Sequence, residues 1–325
     1  MPGREPAVTL LAHALTLVVL AATAPALLPS PNRACWAVRS AAGGLAPQLA
    51  VLAGFSAGLQ VVSAHQDPAH IVAATAAVLC ADYWRRVRRR QLVRAAELGV
   101  PLDSWRRSRP PTGIAASSLR PIVLLVPGDT RGSGPEQVQR YASWLSEHGY
   151  VTVCLPRLPR TNPLRTVQEV LSWLHWARAN ACALGADPDR IALLGCSRGA
   201  ELVLWAAGLP TAPAVRAVLA LHPMLGLPLL HRTLLNTRTT SPRAPDPHGA
   251  DNPPHAVFLA AGERDQFVPL PEVHGYAQEL LSRSTEHRVV LLPDADHCVD
   301  RVWQGLPARI LRHTLLEFLR RHLNP

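Results

Sequence analysis

Residues 191–200 read Ile-Ala-Leu-Leu-Gly-Cys-Ser-Arg-Gly-Ala, and this stretch decides the fold. A short apolar run, typical of a buried strand, leads into Gly195-Cys-Ser-Arg-Gly199, and the helix-favouring stretch Ala200–Ala207 follows. A serine between two glycines at a strand-to-helix junction is the pattern of a nucleophile elbow, a turn too cramped for larger neighbours. The N-terminal N–H groups of the helix point at whatever binds above the serine. The stretch therefore predicts an α/β fold with Ser197 as a nucleophile.

Two further residues complete a predicted catalytic triad. A serine hydroxyl needs a base that takes its proton and an acid that orients the base. Asp265 follows the apolar run Ala256–Gly262, and His297 follows the run Arg288–Leu292. Both thus lie just past the carboxyl ends of predicted strands, where open α/β sheets place their chemistry. The order serine, acid, histidine along the chain also fits a triad of Ser197, Asp265 and His297.

Other residues compete for these roles. Glu263, Asp294 and Asp296 are rival candidates for the acid, and thirteen other histidines compete with His297. Asp294, Asp296 and Asp300 lie close to His297 along the chain, but there is no second histidine at ligand spacing. We therefore expect no metal site, and the proposed chemistry needs no organic cofactor.

The remaining elements alternate between strand and helix, which predicts a mostly parallel sheet flanked by helices. The turn signal Asp187-Pro-Asp-Arg190 precedes the elbow strand. The proline-rich stretch 223–255 is interpreted either as a cap over the active site or as a disordered surface loop. Further strands are predicted over 121–126, 150–156 and 217–222, and helices over 137–147, 166–182, 272–282 and 309–322.

Residues from about 119 to 325 resemble the α/β-hydrolase superfamily, and within it the branch of dienelactone hydrolases and esterases. The stretch Gly262-Glu-Arg-Asp-Gln-Phe-Val-Pro269 matches the Gly-x-x-Asp-x-x-Val-Pro of that branch, in which the aspartate is the acid. The stretch Leu194–Leu202 is also similar to the elbow of acyl-CoA thioesterases and bile-acid acyltransferases. The resemblance implies an α/β-hydrolase fold and acyl chemistry, and it says little about the substrate.

The resemblance also locates an oxyanion hole. In the resembled family, the loop after the strand that corresponds to residues 121–126 opens with His-Gly-x and donates a backbone N–H to the oxyanion. Here Pro127-Gly-Asp129 occupies that place. We therefore expect the backbone N–H groups of Asp129 and Arg198 to stabilise the charge that develops in the transition state. A carboxylate at Asp129 would oppose an oxyanion unless its side chain turns away, and the alternative is that Asp129 only caps the loop.

The N-terminal part of the chain has a different character. Ala7–Leu28 and Pro47–Ala64 contain no Asp, Glu, Lys or Arg, and the first is long enough to span about 30 Å of hydrocarbon. The alanine-rich stretch His70–Ala81, extended to Trp84, is interpreted as a third span or as a buried or interfacial helix.

These features divide the chain into three parts. We expect residues 1–95 to form a membrane anchor with three transmembrane helices and residues 96–118 to form a basic linker. Residues 119–325 are expected to form the catalytic domain, which should need nothing from the anchor.

Charge favours a cytoplasmic catalytic domain. All 33 basic residues are arginines, the net charge is +10, and the basic excess lies largely between Arg85 and Arg109. Three spans place this segment and the loop with Arg33 and Arg39 on the same side, as the positive-inside rule requires. The alternative is secretion after cleavage at Ala24-Pro-Ala26. The arginines suit anionic lipid headgroups, whereas no motif or aromatic pattern indicates nucleic-acid binding.

The six cysteines show neither a disulfide framework nor zinc spacing, which favours a reducing compartment. The sequence thus predicts a membrane-anchored serine hydrolase that cleaves small-molecule or lipid-like carboxylic esters. One alternative is a thioesterase or acyltransferase that uses the same triad on acyl-CoA or a carrier-bound acyl chain. Another is a non-catalytic, membrane-bound interaction module. Neither the acyl and alcohol groups nor the oligomeric state follows from the sequence.

Overall fold

A computed structural model describes most of the predicted catalytic domain and the segment before it. The described residues are Ala14 and residues 69–100, 119–128, 135–158, 163–225, 256–265, 267–283 and 285–323. The predicted spans over 7–28 and 47–64 lie outside these residues, so membrane attachment stays a prediction. Residues 101–118 of the predicted linker and 226–255 of the predicted cap lie outside them as well.

A parallel sheet of six strands forms the centre of the described domain, in the order β2-β1-β3-β4-β5-β6. The chain runs from β1 outward to β2 and then returns to β3 on the other side of β1. The carboxyl ends of β1 and β3 therefore lie side by side at the point where the strand order reverses, which is where such sheets bind ligands. The strands are β1 (Arg120–Val126), β2 (Val151–Cys154), β3 (Ala186–Cys196), β4 (Ala217–Leu221), β5 (Ala256–Gly262) and β6 (Glu286–Leu292).

Helices cover both faces of the sheet, because successive side chains of each strand point to opposite sides. Ile122 and Leu124 of β1 pack with α3 and α4, whereas Val123 and Leu125 pack with α2 and α6. Strands buried on both faces read as unbroken apolar runs, and the predicted parallel α/β sheet is confirmed. The helices are α1 (Ala69–Glu97), α2 (Pro135–Glu147), α3 (Pro163–Ala179), α4 (Arg198–Ala207), α5 (Leu270–Ser282) and α6 (Leu306–Leu323).

The predicted turn before the elbow strand lies inside the bounds of β3. Arg120 pairs with Ala186 and Ile122 pairs with Ile191, so residues 187–190 oppose a single residue of β1. The side chain of Asp187 accepts a hydrogen bond from the backbone N–H of Asp189 at 2.9 Å, which closes a local turn. The strand therefore bulges there before it enters the buried centre of the sheet.

Helix α1 packs against the catalytic domain with its C-terminal half. Val87, Gln91 and Ala95 are buried and recur every four residues, so they lie on one face of the helix. Ala95 and Val100 join the same core cluster as α2 and α6. The predicted boundary after residue 95 thus falls inside a segment that packs on the domain.

The third predicted span falls within α1, and the structure does not support it. Only the 13 residues from Ala69 to Ala81 are free of Asp, Glu, Lys and Arg, whereas a membrane span needs about 20 apolar residues. Asp82 and the arginines from Arg85 onward follow. Among the helices that the structure describes, none has the length and apolar character needed to cross a membrane.

Candidate active site

Ser197 occupies a strained turn between β3 and α4. Its backbone angles are φ 55° and ψ −120°, a region that residues with a Cβ rarely adopt and that recurs at functional sites. Its backbone N–H donates to the carbonyl of Leu221 at 2.8 Å, which ties the turn to β4. The hydroxyl is therefore held at the carboxyl end of the sheet, as the elbow pattern predicts.

The two glycines of the elbow are required by close backbone contacts. A Cβ at position 195 would lie 2.2 Å from the carbonyl oxygen of Gly199. A Cβ at position 199 would lie 2.3 Å from the carbonyl oxygen of Val126. No side chain fits either position, and α4 can therefore start directly against the ends of β1 and β3.

The structure brings the three predicted triad residues together. Nε2 of His297 lies 3.0 Å from Oγ of Ser197, and Nδ1 of His297 lies 2.7 Å from Oδ2 of Asp265. The side chains of Asp265 and His297 are 0% and 3% exposed. Because an ionised carboxylate only accepts hydrogen bonds, Nδ1 is the donor, and Nε2 of the neutral ring is left to accept the serine proton.

Asp265 is fixed on its other side by its own loop. Its Oδ1 accepts hydrogen bonds from the backbone N–H groups of Phe267 and Val268 at 2.8 and 3.0 Å. Both carboxylate oxygens are therefore engaged, and the free rotation of the carboxylate is lost. The ring of Phe267 also lies 5.1 Å from that of His297 and confines it.

The rival carboxylates have different partners. Glu263 and Asp294 each accept a hydrogen bond from Arg90 of α1. Asp296 accepts one from the backbone N–H of His297 at 2.7 Å. Asp300 accepts two from the side chain of Gln137, so Asp265 is the carboxylate that the structure places on Nδ1 of His297.

The electrostatics of His297 combine two opposing effects. Burial of the ring lowers its pKa, whereas the neighbouring Cys298 and the Asp265 carboxylate raise it. These two partners outweigh the burial and raise the pKa of His297 above the usual histidine value. The positive form that develops when the ring takes a proton is thus stabilised by its partners.

A second buried histidine, which was not predicted from the sequence, lies beside the triad. His222 follows β4 and has φ 52°, and its ring lies 5.4 Å from that of His297. Burial lowers its pKa to about 4, so its ring is neutral at neutral pH. Its Nε2 lies 3.8 Å from Asp300. Its place at the carboxyl end of a strand was the only signal in the sequence.

The predicted oxyanion donors are described only in part. Arg198 opens α4, so its backbone N–H belongs to the first turn of the helix, whose N–H groups have no acceptor within the helix. Asp129 lies outside the described residues, which after β1 continue only to Gly128 before the next gap. Within the described parts of the chain, no cluster of three or more His, Cys, Asp and Glu residues is arranged to hold a metal.

An elbow serine, an acid after one strand and a histidine after the next, all on a parallel sheet between helices, define the class of α/β-hydrolases. The sequence profile of the dienelactone hydrolase family matches residues 113–301, which is more than half of the chain. The chain belongs to this family.

The chain is similar to three curated proteins of Mycobacterium tuberculosis. It is 29% identical to the probable carboxylic ester hydrolase LipM over 61% of this chain and 53% of LipM. It is 34% identical to esterase LipC over 36% of this chain and 29% of LipC. It is 26% identical to esterase LipQ over 67% of this chain and 58% of LipQ. The chain thus spans about half or less of the length of the first two.

Solved structures support the fold. A native structure of a thermophilic esterase, Est2, from Thermogutta terrifontis matches with a TM-score of 0.54 and 21% identity, over 67% of this chain and 88% of that one. The same organism's esterase 2 phosphorylated by paraoxon matches with a TM-score of 0.54 and 19% identity, over 67% and 89%. At this level of identity the likeness concerns the fold alone.

Proposed function

We propose that the chain is a serine hydrolase that cleaves carboxylic esters through an acyl-enzyme on Ser197. The hydrogen-bonded series from Ser197 through His297 to Asp265 carries the proposal, because it is the arrangement that turns a hydroxyl into a nucleophile. The names of the relatives LipM, LipC and LipQ, all esterases or ester hydrolases, support the same chemistry.

In the first half of the reaction, Oγ of Ser197 attacks the ester carbonyl carbon while Nε2 of His297 takes the hydroxyl proton. The carbonyl π electrons move to the oxygen, which becomes the oxyanion. When the tetrahedral intermediate collapses, the carbon–oxygen bond to the alcohol breaks and His297 gives its proton to the leaving alkoxide. The acyl group remains on Ser197 as an ester.

In the second half, a water molecule takes the place of the alcohol. His297 takes a proton from the water as the water oxygen attacks the acyl carbon and forms a second tetrahedral intermediate. When this intermediate collapses, the bond from the acyl carbon to Oγ of Ser197 breaks, His297 returns the proton to Oγ, and a carboxylic acid leaves. Asp265 keeps Nδ1 protonated throughout and stabilises the imidazolium in both halves. Each cycle consumes one ester and one water and returns the triad to its starting state.

The oxyanion is proposed to bind at the N-terminus of α4. The backbone N–H of Arg198 lies in the residue after the nucleophile, where its family donates the first hydrogen bond. The backbone N–H of Asp129 is the proposed second donor. Each donor of this kind contributes about 10²–10³ in rate, because it meets charge that appears only in the transition state.

Turnover of short p-nitrophenyl esters tests the proposal. The full chain should hydrolyse them, and Ser197→Ala should lower kcat by at least about 10⁴-fold, since the members of a triad act as a unit. The matched control is Ser172→Ala on the exposed side of α3, which should keep wild-type activity. A Ser197→Ala protein within about tenfold of the wild type would contradict the nucleophile assignment. Much faster turnover of acyl-CoA than of esters would show that the substrate is a thioester and not a carboxylic ester.

A further inference from the structure

Arg90 of α1 bridges the two loops that carry the triad acid and base. Its Nη2 lies 2.7 Å from Oε2 of Glu263, two residues before Asp265. Its Nη1 lies 2.8 Å from Oδ2 of Asp294, three residues before His297. One guanidinium therefore joins the loop after β5 to the loop after β6.

Asp294 gives this bridge its strength. Its side chain is 3% exposed, its backbone is in the left-handed region at φ 55°, and its second oxygen lies 3.0 Å from Nη2 of Arg264. A buried carboxylate needs compensating positive charge, and here two guanidinium groups provide it. Arg264 is the residue directly before Asp265, in the loop after β5. Both arginines therefore connect this loop, which carries the triad acid, to Asp294.

Helix α1 holds the same two loops at further points. The hydroxyl of Tyr83 accepts a hydrogen bond from Nη1 of Arg264 at 3.2 Å. The side-chain amide of Gln91 donates to the carbonyl of Pro293 at 3.3 Å, directly before Asp294. These contacts extend over about two turns of α1, so the helix lies along both loops and does not touch them at one point alone.

The loops also contact each other directly beneath the helix. The backbone N–H of Arg264 donates to the carbonyl of Ala295 at 2.8 Å. A Cβ at Gly262 would lie 2.3 Å from that same carbonyl oxygen, so a glycine is needed for this approach. The distance between Asp265 and His297 therefore depends on how closely the two loops are held together.

We propose that Arg90 is a positioning residue of the active site, a proposal that rests on the proposed function. Arg90 holds the loop of Asp265 and the loop of His297 at the spacing that the hydrogen bond between Asp265 and His297 requires. Arg90 touches no reacting atom. It acts through Asp294 and Glu263. Because Arg90 belongs to α1, this helix is needed for full activity of the catalytic domain.

The test compares Arg90→Gln with Arg89→Gln, which removes a charge from an exposed neighbour on the same helix. Arg90→Gln should lower kcat for p-nitrophenyl esters by about tenfold with little change in KM, because a small misplacement of catalytic groups costs rate more than binding. Its acid limb of kcat/KM should move to lower pH, since a looser Asp265 raises the pKa of His297 less. Arg89→Gln should match the wild type in kcat, KM and pH profile.

A second variant and a second readout keep the test decisive. Glu263→Gln removes the ion pair between Arg90 and the loop of Asp265 but leaves no buried charge unpaired. This variant should therefore fold, and its kcat and pH profile should change in the same direction as those of Arg90→Gln. Proton NMR of the Nδ1–H of His297 reports the hydrogen bond to Asp265 without any substrate, and its resonance should broaden or shift in both variants. If no ester is turned over but this resonance still changes, the proposed function fails and the positioning role stands. If Arg90→Gln and Glu263→Gln equal Arg89→Gln in rate, pH profile and resonance, the positioning role is wrong.

Discussion

At the scale of single residues, the conformation of each loop decides which carboxylate accepts the hydrogen bond from Nδ1 of His297. The sequence narrowed the acid to the segments after two strands, because chemistry in parallel sheets gathers at carboxyl ends. Placement after a strand does not separate Asp265 from Glu263, Asp294 or Asp296, since all four follow a strand. The match of residues 262–269 to the Gly-x-x-Asp-x-x-Val-Pro pattern is what favours Asp265. In the structure Arg90 and a backbone N–H engage the rivals, and Asp265 contacts the ring.

Two other residues near the triad carry almost no signal in the sequence. Arg90 is one of five arginines between positions 85 and 90, and nothing local distinguishes it from its neighbours. His222 is one of 14 histidines. Their roles depend on contacts with residues far away in the chain, which charge and periodicity do not encode.

Asp265→Asn tests the acid at this scale. The amide carries no charge to stabilise the imidazolium, so kcat should fall by about 10³–10⁴-fold. Activity requires the neutral ring and is lost as pH falls through the pKa of His297. Since the Asp265 carboxylate raises that pKa, the acid limb of kcat/KM should move to lower pH in the variant.

The control for this experiment is Asp189→Asn, which changes an exposed carboxylate near the N-terminal end of β3, at the opposite end of the strand from the elbow. This variant should leave both rate and pH profile unchanged. A nearly active Asp265→Asn protein, together with a strongly impaired Asp296→Asn protein, would show that the acid is Asp296.

At the scale of elements, the sheet could be predicted and the role of α1 could not. Strands buried on both faces read as unbroken apolar runs, so the predicted strands coincide with the observed ones to within a few residues, apart from the bulge in β3. Among the residues of α1 whose burial the structure describes, the buried ones are Val87, Gln91 and Ala95, and arginines surround them. Its sequence therefore resembles a basic connection between an anchor and a domain.

Two truncated chains test whether α1 belongs to the catalytic unit. A chain that starts at residue 69 keeps the helix, whereas a chain that starts at residue 96 loses Arg90, Gln91 and the buried Ala95. The shorter chain should be destabilised by about 1–2 kcal/mol, because Asp294 stays buried with less compensating charge. Its Tm should therefore fall by about 2–8 °C, and its kcat should fall with it.

Calorimetry and ester turnover, measured side by side on the two chains, check this prediction. Equal Tm and equal kcat would show that the catalytic domain needs no residue before 96 and that α1 contributes neither stability nor activity.

At the scale of the whole molecule, the family match and the structural unit have different limits. The match covers residues 113–301, whereas the packed unit also includes α1 before it and all of α6 after it. The contacts of α1 thus lie beyond the part of the chain that the family resemblance explains. The substrate depends on what lies above Ser197, and residues 226–255 of the predicted cap are outside the described residues.

Covalent labelling of the full chain by a fluorophosphonate tests whether Ser197 is an activated nucleophile. Such reagents capture an activated serine, and cleavage after arginine releases Ser197 in the peptide Ile191–Arg198, where mass spectrometry can locate the adduct. We expect one adduct per chain on Ser197, none in Ser197→Ala and strongly slowed labelling in His297→Ala. An adduct on a different residue, or none on a folded wild-type chain, would contradict this expectation.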